Sequence, residues 1–109
     1  MQIIDHDSII EGAASVTFTE KTEGYVAYFR FNKEAMEVLD LREPCRINYG
    51  VDGNKIYFIP SDNGIVKVYS QSQQVSATKL LKAINRDIFP QVYIMQKDNN
   101  GYFIEVDFV

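Results

Sequence analysis

The sequence predicts a small α+β domain, mostly antiparallel strands closed as a barrel, with two short helices. Three observations predict it. Runs of about four to eight residues rich in β-branched and aromatic side chains recur along the chain, broken by Gly, Asn, Asp and Pro. Two stretches, one after Asn32 and one after Ser76, switch to helical spacing. The order glycine, strand, capped helix, proline, strand, Asp-X-Asn turn, strand then occurs twice, over residues 24–60 and 64–106. A chain of 109 residues has room for one modest core, and 46% apolar with 24% charged residues is a globular composition.

Taken in order, "ASVTFTE" (14–20) and "GYVAYFRF" (24–31) read as strands joined through "KTEG", where Gly24 supplies permissive φ. Asn32 is a good helix N-cap, because its side-chain oxygen can accept from the free amides of the first turn. Glu34 and Glu37 sit early, where the positive helix end favours carboxylates, and Ala35, Met36, Val38, Leu39 and Leu41 supply a core side. Pro44 cannot continue the helix and disfavours helical geometry at Glu43, so the helix has two to three turns and depends on packing. "CRINYGV" (45–51) and "KIYFIP" (55–60) flank "DGN", a strong hairpin signal. "IVKVYS" (65–70) is a further strand and "QSQQ" a polar loop. Ser76 caps a second helix, "ATKLLKAINRDI", with Leu80, Leu81, Ile84 and Ile88 on its apolar side and Pro90 as its stop. "QVYIMQK" and "GYFIEVDF" close a hairpin around "DNN".

The two halves align at offsets that drift only where a loop or helix can absorb residues. Gly24 and Val26 match Gly64 and Val66 at 40, Met36 and Leu39 match Leu81 and Ile84 at 45, and Pro44, Asp52 and Asn54 match Pro90, Asp98 and Asn100 at 46.

The stretch "FRFNKEAMEVLDLREPCRINYGVDGNKIYFIP" (29–60) resembles the AbrB-like, swapped-hairpin family of DNA-binding domains. Asn32 stands where that family usually has proline, "LDL" (39–41) stands for its leucine-glycine-leucine, and "EPC" (43–45) replaces its glycine-containing turn. The resemblance implies that one such unit cannot bury its helix face and bare hairpin alone. Family members pair two chains and exchange hairpins into one barrel. A chain holding both units would close the barrel within itself, each helix plugging an end. The resemblance further implies a non-enzymatic transcriptional-regulator-like protein that touches duplex DNA through basic residues on and around the barrel strands. Arg30, Arg46 and Lys33 are the nearest candidates in the first half, and Lys67 and Lys79 in the second.

No set of residues for catalysis assembles from the sequence. The single histidine, His6, lies between Asp5 and Asp7 in an acidic leader, and no spacing places it beside Cys45. On a strand Asp5 and Asp7 share a face that His6 does not, and no second cysteine or histidine completes a zinc set. "VDGNK" and "KDNNG" lack the spaced acids of a calcium loop and are satisfied as turns. No glycine-rich phosphate cradle is present. The expectation is therefore no enzyme, no metal and no cofactor.

Charge narrows the partners. The net charge of −4 belongs to residues 1–23, and the rest of the chain sums to zero. Lys79, Lys82 and Arg86 recur at helical spacing and would line one face of the second helix, while Arg30, Lys33, Arg42 and Arg46 bracket the first. Neutralising six phosphates would need most of the 11 cations on one surface, so a DNA-binding reading competes with one of solvated, acid-balanced faces. The alternative partner is another protein. Seven Tyr and seven Phe suit core pairing, and alternation along "GYVAYFRF" sets Val26, Tyr28 and Arg30 on the face opposite Tyr25, Ala27, Phe29 and Phe31. Tyr25 and Tyr28 are the protein-binding candidates. The leader lacks the basic start of a signal peptide, no apolar run spans a bilayer, and one cysteine fits a reducing compartment, so the expected location is cytoplasmic, as a monomer or dimer.

Overall fold

The computed structural model describes residues 13–20, 26–41, 45–69 and 71–109. The stretch carrying Asp5, His6 and Asp7 lies outside the described residues, as do Gly24, Tyr25, Arg42 and Pro44. Among the described residues, nine strands and two helices follow in the order β1 (Ser15–Thr19), β2 (Tyr28–Phe31), α1 (Lys33–Val38), β3 (Cys45–Asp52), β4 (Lys55–Pro60), β5 (Val66–Val68), β6 (Gln74–Ser76), α2 (Thr78–Ile84), β7 (Val92–Ile94), β8 (Gln96–Asp98) and β9 (Gly101–Glu105). The result is a small α+β structure dominated by strands.

Every ladder is antiparallel. The ladders form a four-stranded sheet, β6-β2-β1-β7, and a five-stranded sheet, β5-β3-β4-β9-β8. Two features tie the sheets together. Tyr69 and Gln74 form a single antiparallel bridge where β5 meets β6. At the other margin β7 and β8 are separated by Met95 alone, whose amide donates to the Ala14 carbonyl (2.9 Å).

Alternation along the strands sets the core between the sheets. Val16, Phe18, Phe29, Phe31 and Val75 from one sheet face Ile47, Ile56, Phe58, Val68 and Ile104 from the other, all buried. Phe29 meets Phe58 edge-on at 5.4 Å, Phe31 meets Phe58 at 5.1 Å, and Phe18 tilts against Phe29 at 5.3 Å. Each such ring stabilises the fold by about 1.5–3 kcal/mol on leaving water, and edge-on pairs add about 0.5–1.5 kcal/mol. Tyr49 crosses from β3 to β6, its hydroxyl donating to the Ser76 carbonyl (2.9 Å), and burial pushes that hydroxyl above its ordinary titration range.

The first helix is capped as its sequence predicts, but it spans six residues, under two turns rather than two to three, and Val38 is exposed instead of on its core side. Asn32 Oδ1 accepts from the Ala35 amide (2.8 Å) and from the Ser15 amide (3.0 Å), while Nδ2 donates to the Ala13 carbonyl (2.7 Å). One asparagine thus caps α1 and clamps the start of β1. The helix ends in a Schellman arrangement. Asp40 takes the left-handed position (φ 52°), its amide donates to the Glu37 carbonyl, and the Leu41 amide reaches the Met36 carbonyl.

The second helix departs from expectation. Its N-cap is Ala77, with no side-chain cap, and Ser76 sits one residue earlier with its hydroxyl accepting from the Thr78 amide (3.3 Å). It stops at Ile84 rather than near Ile88, because Asn85 turns left-handed (φ 54°). Ile88 instead bridges Phe108. The polar "QSQQ" stretch runs straight into β6, a strand that polarity concealed.

Candidate nucleic-acid interface

The junction between β5 and β6 brings several of the described basic residues together. Arg46 and Lys67 are direct cross-strand partners on β3 and β5, and both are exposed. Cross-strand partners share a face. On the neighbouring sheet Tyr28 pairs with Ser76 and Arg30 with Gln74. Ser76 lines the same depression as Lys67, and Gln74 is bridged to Tyr69. Two outward rows therefore cross the junction, one through Tyr28, Ser76, Lys67 and Arg46, the other through Arg30, Gln74 and Tyr69.

Helix α2 adds its own cations. Lys79 and Lys82, one turn apart, line a depression of about 400 Å³ with Ile65, Lys67, Tyr69 and Thr78. Lys79 Nζ donates to the Ile65 carbonyl (3.1 Å), which fixes its stem and leaves two ammonium protons for another acceptor. The Lys67 ammonium stands 5.3 Å over the Tyr69 ring.

Close packing positions this corner. An added Cβ at Gly64 would come within 2.5 Å of the Ile47 backbone, so only glycine lets the chain pass so near β3. Arg46 Nε donates to the Gly64 carbonyl (2.7 Å), and Asn48 Oδ1 accepts from the Ile65 amide (2.9 Å). The Ser61 amide donates to the Arg46 carbonyl (3.0 Å). The segment from Ser61 to Ile65 thus holds both Arg46 and Lys79.

Two further depressions adjoin. One, about 210 Å³ and mostly apolar, is lined by Val26, Tyr28, Tyr69, Gln74, Val75 and Ser76. The other places Arg30 and Lys33 together with Thr17, Asn32 and Gln73. Among the described residues no carboxylate lines any of these three depressions.

Six of the basic residues singled out from sequence (Arg30, Lys33, Arg46, Lys67, Lys79 and Lys82) therefore stand around the meeting of β2, β6, β5 and α2. Arg86 does not join them. The left-handed turn at Asn85 takes it off the helix, and its guanidinium stacks on Phe108 at 3.9 Å. Tyr28 is part of the surface, on the outward side of β2 as its alternation predicts. Tyr69 and Ile65 were not singled out, and Ser76 was read only as a helix cap. Their signal was faint, since "IVKVYS" reads as an ordinary strand until Tyr69 is seen to be 57% exposed.

No family model, no curated protein and no solved structure matches the chain. Among the described residues no helix is long and apolar enough to cross a membrane.

Proposed function

We propose that this chain is a non-enzymatic DNA-binding protein of AbrB-like type, folded as an internal pseudo-dimer, whose contact surface is the β5–β6 junction. The observation that carries the reading is that surface itself. Five cations line its depressions with Arg46 paired to Lys67 beside them, no described carboxylate lines those depressions, and two tyrosines interleave with the charges. Phosphate oxygens are the acceptors such ammonium and guanidinium groups suit.

The fold part of the proposal draws on registers. In the β3–β4 hairpin Val51 pairs with Ile56 and Asp52 with Lys55. The β8–β9 hairpin pairs Lys97 with Tyr102 and Asp98 with Gly101, each residue 46 further on. The β2–β6 ladder pairs Tyr28 with Ser76, Phe29 with Val75 and Arg30 with Gln74, a set that the same shift of 46 returns to itself. Exchanging β1 with β5, β2 with β6, β3 with β7 and β8, and β4 with β9 carries every ladder onto another, counting the Tyr69–Gln74 bridge as the β5–β6 ladder. That bridge and the Met95 junction would join the two sheets into one ring. On this reading Val66 corresponds to Val16, and the earlier match of Val26 with Val66 at an offset of 40 is set aside. The left-handed Asp40 also supports the family likeness, because it fills the glycine position of leucine-glycine-leucine.

The test is a mobility-shift titration at low salt with duplex DNA. Retention whose affinity falls with salt at a log–log slope of about five, as six phosphate contacts on a duplex give, is the expected result. No retention of any duplex or single strand at high micromolar protein overturns it. A second reading, a protein-binding module built on the same fold, rests on the exposure of Val26, Ile65 and Tyr69 beside Tyr28.

A further inference from the structure

Resting on the DNA-binding reading above, we propose that the site takes a single strand. An unpaired base would occupy the apolar depression between Tyr28 and Tyr69, with the flanking phosphates on Lys67, Lys79 and Lys82.

The argument begins with the tyrosines. The Tyr69 ring is 57% exposed and Val26 beside it 53%, and among the other described rings only Phe89, at 51%, is comparably open. The depression these two share with Tyr28 holds about 210 Å³, the room of roughly seven waters at about 30 Å³ each, which suits one flat ring system. Lys67 already stands over the Tyr69 ring, so a base entering the slot arrives next to a cation. The apolar slot and the lysine depression share Tyr69 and Ser76, so base and phosphate sites are contiguous. That is the composition of a surface on which bases stack while the backbone follows positive charge. A duplex keeps its bases within its own stack and has nothing to place in the slot.

The charge distribution points the same way. A protein with twofold character that reads duplex DNA presents equivalent surfaces to two half-sites. Here the corresponding positions of the two helices are opposite in sign, Lys79 and Lys82 on α2 against Glu34 and Glu37 on α1. One basic surface serves one strand. With few cations available, affinity must come partly from stacking, which the tyrosines supply.

Fluorescence anisotropy with a labelled oligothymidylate of about twelve nucleotides, within the span such sites cover, tests this against a hairpin duplex with equal phosphates. The single strand should bind about tenfold tighter or better. Tyr69→Ala should weaken it about fivefold to hundredfold, the loss of one stacked base, should weaken duplex binding by a smaller factor, and should leave the salt slope unchanged. Tyr69→Phe keeps the ring and should keep the affinity. Because Tyr69 is exposed, circular dichroism of the alanine variant should match that of the wild type. Duplex binding as tight as single-strand binding, with Tyr69→Ala silent or equally harmful to both, overturns the base slot and leaves the DNA-binding reading standing. Failure of both probes at low salt removes both readings.

Discussion

The two helices are alike in length and setting and opposite in character. Each is shorter than eight residues, follows a strand of the four-stranded sheet, and ends at a left-handed residue, Asp40 in one case and Asn85 in the other. Helix α1 is fastened by Asn32, which makes three hydrogen bonds to two segments, and it carries Glu34 and Glu37. Helix α2 has no side-chain cap, carries Lys79 and Lys82, and is tied down instead by a lysine reaching the Ile65 carbonyl. Polar side chains on α1 serve the fold. Those on α2 are spent on the surface. The difference is one of charge and anchoring, acidic and side-chain-capped in the first helix, basic and uncapped in the second.

Reversing the sign of that difference has the largest expected effect. Lys79→Glu combined with Lys82→Glu should weaken oligonucleotide binding about hundredfold at 50 mM salt, since each lost phosphate contact is worth about one order of magnitude there. Glu34→Lys with Glu37→Lys should leave affinity unlowered. Anisotropy titrations of the two double variants read the contrast directly. Equal losses in both, or none in either, would show that the helices do not differ in this respect.

Capping gives the next effect. Asn32→Ala removes the α1 cap, worth about 1 kcal/mol, and two half-buried hydrogen bonds worth about 0.5 kcal/mol each, so urea unfolding should register a loss of about 2 kcal/mol. Ser76→Ala, beside the uncapped start of α2, should cost less than about 1 kcal/mol. Equal costs would mean that Asn32 is no more than an ordinary cap.

The same comparison explains what the sequence could disclose. Asn32, the Asp52–Gly53 turn and the alternation of "GYVAYFRF" act within a few residues, and each was readable. Gly53 does take positive φ, and Phe29 and Phe31 are buried while Arg30 is exposed. What failed depended on distant partners. Strand β6 exists because Gln74 and Ser76 pair with Arg30 and Tyr28, more than forty residues away, which overrides its polar composition. The end of α2 was available locally, since asparagine tolerates left-handed backbone, but it was outvoted by the apolar spacing that ran on to Ile88. That miscount misplaced Arg86. Lys79 and Lys82 were legible as neighbours on a helix. Their union with Arg46, Lys67 and Tyr69 was not, because it arises where β5 meets β6.

The smallest effect separates two lysine-tyrosine pairs of the same spacing, "KIY" (55–57) and "KVY" (67–69), on β4 and at the end of β5. In the first, the Tyr57 hydroxyl donates to Asp98 Oδ2 (2.5 Å), Lys55 Nζ lies 3.5 Å from the same oxygen, and Lys55 covers the Phe103 ring at 4.8 Å. The group is closed upon itself. The second has no described carboxylate against it. The hydroxyl of Tyr57, followed by the Asn100 amide and Lys55, holds the Asp98 carboxyl below its usual range. A carboxyl with a depressed folded pKa binds fewer protons folded than unfolded, so its stabilisation is complete above the unfolded value near 3.9 and is lost as pH falls through the folded one. Tyr57→Phe should therefore lower the urea midpoint slightly at about pH 7, and the gap from wild type should narrow at about pH 3 as Asp98 takes up its proton. Tyr69→Phe should leave both midpoints where they were. A gap for Tyr57→Phe that stays constant with pH would mean that the Tyr57–Asp98 contact contributes through packing rather than charge, and the two pairs would then differ only in exposure.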